Sequence, residues 1–277
     1  MSYEAQISRT KPTAFLFLVD QSYSMTDKMS SGKSKADFVA DVLNKTITEL
    51  VAKCSKSEGV RDYFEVGIIG YGHETVDNAL QGELSQQVIN PISKLEQNPI
   101  EIEERKKKMD DGAGGIIELD IKFPVWYKSV ANGGTPMRAA LTLAAEELVS
   151  WCDNNPESYP PTVLHITDGE STDGNPEEIA EQLKKISTND GEVLVFNLHV
   201  STSGETPISF PAGEMNLSDS YSKMLFRMSS LLPPGLTSYA QERGYTVSGE
   251  SRGFILNAEA SDIVDFFDIG TRASQLR

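Results

Sequence analysis

Ala14-Phe15-Leu16-Phe17-Leu18-Val19-Asp20-Gln21-Ser22-Tyr23-Ser24 runs six apolar residues straight into a carboxylate, followed by two serines at alternate positions. An unbroken apolar run of this kind predicts a strand buried on both faces, as in a parallel sheet. A second stretch has the same form: Thr162-Val163-Leu164-His165-Ile166-Thr167 ends at Asp168-Gly169. Between the two, Val39, Val42, Leu43, Ile47, Leu50, Val51 and Cys54 recur every three or four residues, which marks one face of an amphipathic helix. Phe64 to Gly70 reads as another strand. Pro136 suits a first helical position, where no backbone donor is needed, and Met137, Leu141, Ala144, Leu148 and Cys152 continue that helix. Asn175-Pro176 reads as a cap and first helical residue before Ile179, Leu183 and Ile186. Glu192 to Val200 and Gly253 to Leu256 are strands, and Ser261 to Gly270 is a last helix.

Strands alternating with helices imply an α/β fold: a doubly wound, mostly parallel central sheet with helices on both faces. The 277 residues are read as one domain, 1–277, with its core at about 13–72, 133–200 and 253–271. Two stretches break the alternation and are expected to be insertions, at about 73–132 and 201–252. The first is charged and holds the turn Gly112-Ala113-Gly114-Gly115; the second holds Pro233-Pro234-Gly235.

The composition narrows the function. Hydrophobic residues make up 39% and charged residues 24%, enough for a sizeable core. With 41 acidic and 25 basic residues the net charge is -16, which repels phosphate backbones and argues against nucleic acid. The basic run Arg105-Lys106-Lys107-Lys108 is flanked by Glu101, Glu103, Glu104, Asp110 and Asp111, and reads as a locally neutralised, solvated face. Cys54 and Cys152 fall at apolar helix positions, where free buried thiols are expected, and suggest a reducing compartment. Met1 to Thr13 lacks the apolar core of a signal peptide, and the apolar run at 14–19 is too short to span a bilayer. The expectation is a cytoplasmic protein with no membrane partner.

In an open parallel sheet, ligands bind at the carboxyl ends of the strands. Asp20 and Asp168 hold that position. Ser22 and Ser24 follow the first, and Gly133-Gly134-Thr135-Pro136 delivers a further hydroxyl just before a helix. Two carboxylates and three hydroxyls form a hard, all-oxygen set suited to Mg²⁺, with Mn²⁺ or Ca²⁺ as alternatives, and unsuited to zinc or copper. A dication held largely by neutral hydroxyls keeps positive charge and an open position for an incoming carboxylate.

Asp20-x-Ser22-x-Ser24, Thr135 in a GGTP turn and Asp168 in a TDG turn together resemble the von Willebrand factor A domain and its metal-ion-dependent adhesion site. Motif order and strand context agree from Ala14 to about Gly270, apart from the two insertions. The resemblance implies metal ligands at Asp20, Ser22, Ser24, Thr135 and Asp168, with the two aspartates acting directly or through water. It also implies a protein partner that supplies an Asp or Glu to the metal. Tyr23 departs from the glycine of many members, at a position that carries no ligand, and at the rim would face a partner. The turn sequences look like intracellular microbial members, which work with AAA-type ATPases or with kinase and phosphatase partners in stress or defence systems.

The alternative is a nucleotide-binding protein or metal-dependent hydrolase. Ser31-Gly32-Lys33-Ser34 matches the end of a phosphate-binding loop, and Val163 to Asp168 would pass for the strand that accompanies one. However, Asp27 sits where the pattern needs a glycine for backbone amides to wrap phosphates. A serine nucleophile would need a base; His165 and His199 lie inside apolar strands, which leaves only His73 near the sheet's upper edge. No Gly-x-Ser-x-Gly elbow contains a candidate serine. Ser22 also stands where a haloacid dehalogenase-type phosphatase would place a second aspartate. Trp126 and Trp151 read as packing residues, and Glu170 and Asp173 as solvated. A non-enzymatic, metal-dependent protein-binding module is therefore the expectation, with the insertions setting which partner binds.

Overall fold

A computed structural model describes residues 3–72, 75–110 and 116–272. In chain order the strands are β1 (Thr13–Asp20), β2 (Ser55–Lys56), β3 (Gly59–Val60), β4 (Phe64–Gly72), β5 (Thr75–Asn78), β6 (Ile89–Pro91), β7 (Glu101–Asp110), β8 (Ile116–Val125), β9 (Thr162–Thr167), β10 (Leu194–Val200), β11 (Ile208–Ser209) and β12 (Phe254–Ala258). The helices are α1 (Lys35–Cys54), α2 (Ile92–Gln97), α3 (Met137–Asn154), α4 (Glu177–Leu183), α5 (Ser220–Met228), α6 (Pro234–Glu242) and α7 (Ala260–Gly270). None of these helices is long and apolar enough to cross a membrane.

The main sheet has the order β11-β12-β10-β9-β1-β4-β5, with β6 beside β5 on the outer edge of β4. Its five central strands are parallel, and β5, β6 and β11 are antiparallel additions at the two edges. Strand order reverses at β1, so a crevice opens at its carboxyl end. Every residue of β1 is buried. Phe15, Phe17 and Val19 enter one core with α1, α2, α6 and α7; Ala14, Leu16 and Leu18 enter the other with α3, α4 and α5. The alternation of a strand's side chains thus explains why this run has no polar face. α1 starts where Ser34 accepts a hydrogen bond from the Asp37 amide at 3.0 Å, satisfying one orphan donor of the first turn.

The stretches set apart by sequence are divided between core and surface. From 73–132, β5 and β6 extend the sheet, and Leu80, Leu84, Ile92, Leu95, Trp126 and Tyr127 are buried. Only β7 and β8 stand apart, as a two-stranded antiparallel sheet. The Gly112–Gly115 turn between them lies outside the described residues. The charges of this hairpin are neutralised across its two strands: Glu104 lies opposite Lys122 and Lys106 opposite Asp120. Arg105 turns inward, onto the Phe123 ring and Asp41 of α1. From 201–252, β11, α5 and α6 join the sheet or cover it, burying Leu225, Met228, Leu236 and Ala240. Both cysteines are free and buried, and burial pushes the Cys54 thiol up to about 11 and the Cys152 thiol up to about 12.

Close packing has a sharp test at the start of β12. A Cβ on Gly253 would sit 2.0 Å from the Phe196 ring of β10. Overpacking of this kind typically costs about 1–3 kcal/mol. Gly253→Ala is expected to lower the urea unfolding midpoint accordingly, whereas Gly213→Ala, with open space around it, should stay within about 0.5 kcal/mol of wild type. Equal midpoints for the two variants would contradict this packing.

Candidate metal centre

Three loops meet above the carboxyl end of β1. The first is held down by its backbone. The Gln21 amide donates to the Tyr71 carbonyl at 2.7 Å, the Asn132 amide to the Gln21 carbonyl at 2.6 Å, and the Tyr23 amide to the Gly133 carbonyl at 3.0 Å. Gly72 makes this approach possible: a Cβ there would lie 2.5 Å from the Gln21 carbonyl oxygen. The second loop, 133–136, is tied to the third by Thr135 and Thr172. The Thr135 amide donates to Thr172 Oγ1 at 3.0 Å, and the Thr172 amide returns to the Thr135 carbonyl at 2.9 Å. The third loop, 168–175, is anchored at both ends. Asp173 caps α3 by accepting from the Arg138 and Ala139 amides at 3.0 and 2.8 Å, and the Tyr221 hydroxyl of α5 donates to the Gly169 carbonyl.

The five residues singled out by sequence converge within this crevice. Asp20 is fully buried; its Oδ1 accepts from the Ser22 amide and its Oδ2 from the Thr167 hydroxyl, each at 2.8 Å. Ser22 Oγ lies 3.1 Å from Ser24 Oγ, and Ser24 Oγ donates to Asp168 Oδ1 at 2.6 Å. Thr135 is buried, and a point at the Cβ position of Gly169 lies 4.0 Å from both Thr135 Oγ1 and Ser24 Oγ. Two carboxylates and three hydroxyls therefore share one edge of the sheet. Both partners of Asp20 are neutral. Burial raises its carboxyl to about 6, opposed by the hydrogen bonds from Ser22 and Thr167. Such a group is short of positive charge. Among the described residues no group of three or more His, Cys, Asp and Glu side chains could hold a metal, so a cation here must use the hydroxyls too.

Sequence reasoning missed three contributors. Lys35 donates to Asp168 Oδ2 at 2.9 Å, and its signal was a lysine just inside a helix N-terminus, where the dipole disfavours it. Thr167 orients Asp20, and Tyr221 holds Gly169 from 52 residues away. Lys33 points elsewhere: it pairs with Asp41 on α1, while Ser34 serves as the helix cap. The elements of the phosphate-loop reading are thus spent on the start of α1. Tyr23 is exposed at the rim.

Neither described histidine serves these serines. His73 lies outside the described residues. His165 is fully buried, with Nε2 2.6 Å from the Tyr71 hydroxyl and Nδ1 2.7 Å from Asn197 Oδ1. The Asn197 amide group donates to Ser229 Oγ at 2.9 Å, so its Oδ1 accepts. This network assigns the proton to His165 Nδ1 and makes Nε2 the acceptor for Tyr71. Burial pushes the His165 imidazole down to about 4. His199 is half-buried beside the edge of the Tyr221 ring, and burial lowers its pKa too.

No family model and no curated protein matches the sequence. Solved structures do. The manganese-loaded TRAP protein of Plasmodium vivax is 14% identical, with 93% of this chain and 72% of that chain covered and a TM-score of 0.40. The PilB minor pilin of Streptococcus sanguinis is 11% identical, covering 96% of this chain and 62% of that one, with a TM-score of 0.46. The vWF domain of the type V pili tip protein Mfa5 from Porphyromonas gingivalis is 13% identical, covering 96% and 88%, with a TM-score of 0.29. At that similarity these matches carry no inference about what this chain binds.

The buried imidazole predicts a pH response. Unfolded, His165 takes up its proton near pH 6.5; folded, it resists protonation down to about 4. Its contribution is complete above pH 6.5 and is lost as pH falls toward 4, roughly 3 kcal/mol in all. Asp20 has the opposite sign, since its folded pKa is raised to about 6. The difference between wild type and His165→Gln isolates the histidine. Unfolding free energies measured from pH 4 to 7 should show the variant losing less stability on acidification, and parallel profiles would refute the assignment.

Proposed function

We propose that this chain is a non-enzymatic binding module that holds one divalent cation, Mg²⁺ by preference over Mn²⁺ or Ca²⁺, and captures a carboxylate of a protein partner. Asp20, Ser22, Ser24, Thr135 and Asp168 are the proposed ligands. The observation that carries this reading is the covered Asp20 carboxylate, supplied only with neutral donors, at one edge with three convergent hydroxyls and Asp168.

The donor set fits a hard cation. All five groups offer oxygen, and carboxylates and hydroxyls are the ligands Mg²⁺ takes. When bound, the cation supplies a Lewis-acidic position toward which an incoming Asp or Glu is drawn. The chain does the remaining work. Asp20 is fixed by Ser22 and Thr167, so it needs no reorganisation on binding. The Gln21–Tyr71 and Thr135–Thr172 backbone bonds hold the hydroxyl loops at the crevice. Tyr23, 70% exposed, sits between the two serines at the rim, where a partner would meet it. Chemistry on a substrate finds little support, because Ser24 donates to a carboxylate and His165 is locked away in the core.

Calorimetric titration with Mg²⁺ and Mn²⁺ tests the ligand set. Asp20→Asn and Thr135→Ala are expected to weaken binding at least about tenfold, equivalent to about 1.4 kcal/mol, while circular dichroism reports an unchanged fold. Capture of protein partners should require added Mg²⁺ and vanish with chelator. Undiminished cation binding by Asp20→Asn, or capture that persists in chelator, would end the proposal.

A further inference from the structure

Lys35 sits in an unfavourable place twice over. It begins α1, where the helix dipole repels a cation, and it is 5% exposed, which is costly for an ammonium without partners. Its compensation lies 133 residues away. Nζ is 2.9 Å from Asp168 Oδ2, on a side chain with no exposure, and 3.4 Å from the largely exposed Asp27. Asp168 is thereby divided: Oδ2 faces the lysine, and Oδ1 faces Ser24 and the hydroxyl cluster.

We propose that Lys35 is a resident counter-cation that sets the charge of the metal site, an inference that rests on the cation-binding reading above. Among the covered charges, Asp20 and Asp168 supply two negative ones and Lys35 one positive; Asp27, 60% exposed and farther from Nζ, is screened by solvent and left out of the count. A dication entering this set leaves an excess of one positive charge, whereas without Lys35 the set would be neutral. The lysine therefore weakens the cation's hold and strengthens the pull on an incoming carboxylate. It also keeps Asp168 paired, and in place, when no metal is bound. It is a positioning and tuning residue; with Oδ2 held by the lysine, Oδ1, on the side of Ser24, is the Asp168 oxygen that faces the hydroxyl cluster.

The test uses the full chain as wild type, Lys35→Met (the stem kept, the charge removed) and Lys35→Arg (the charge kept). Each is titrated calorimetrically with Mn²⁺, with and without acetate as a carboxylate probe. A unit charge this close to a dication is expected to shift affinity about tenfold. Lys35→Met should bind Mn²⁺ about tenfold more tightly than wild type and gain less from acetate, and Lys35→Arg should stay within about threefold of wild type. Should Lys35→Met fold poorly without metal, melting against Mn²⁺ concentration reads the same quantity, because a tighter ligand raises the midpoint further at equal concentration. A larger Mn²⁺-induced shift than wild type supports the proposal. Equal or weaker Mn²⁺ binding, or an equal or smaller melting shift, overturns it and leaves Lys35 a purely structural ion pair. Failure of every form to bind Mn²⁺, wild type included, would instead bring down the underlying metal reading.

Discussion

Two carboxylates covered at the rim of an apolar sheet are the constraint around which the rest is arranged. A buried carboxylate without compensation costs several kcal/mol. This chain solves the problem twice, in different ways. Asp20 receives neutral donors on both oxygens and remains reluctant to ionise. Asp168 receives an ammonium on one side and a hydroxyl on the other. The asymmetry gives the two acids different roles in the proposed complex: Asp20 lacks positive charge, and Asp168 already has some.

Holding both acids there demands unusual backbone proximity. Gly72 lets β4 lie against the Gln21 carbonyl, where any side chain would push the first loop outward. Thr172 exchanges hydrogen bonds with Thr135, so the second and third loops move as one. Tyr221 ties Gly169 to α5, and the buried relay Tyr71–His165–Asn197–Ser229 reaches α5 from below. The segment 201–252 is thus mechanically part of the site, although it contributes no proposed ligand.

The strands and helices that are legible in the sequence are those whose apolar residues are dense or strictly periodic. β1 and β9 are continuous apolar runs, and α1 and α3 repeat every three or four residues over five turns. That the five proposed ligands would lie together was legible too, because each follows a strand or precedes a helix at a fixed place in chain order. Lys35 was half visible: its awkward place at a helix N-terminus is local, but the carboxylate that explains it is 133 residues distant. β5 was hidden because an edge strand of four residues, Thr75-Val76-Asp77-Asn78, has one apolar residue and exposes Thr75 and Asp77. α5 and α6 are only nine residues each and bury few side chains apiece. The basic run at 105–108 could be read as neutralised, and its flanking acid Glu103 does pair with Arg105, at 2.7 Å. What the sequence hid are the partners off the run: Lys106 pairs across the hairpin with Glu118, and Arg105 also reaches Asp41 of α1.

A cation with an open position, as proposed, recognises a carboxylate and little else, so discrimination between partners must come from what surrounds it. The exposed surface offers two features that could do so. Tyr23 projects from between Ser22 and Ser24, 70% exposed. The β7–β8 hairpin is braced against α1 through Arg105 and Asp41, about two turns from the helix start that carries Lys35. Its outer part exposes Ile117 and Leu119 on the side opposite its charged pairs. An acidic chain with net charge -16 repels most acidic proteins at long range. On the proposed reading, a partner that donates a carboxylate would have to bring a basic or apolar surround to offset that repulsion.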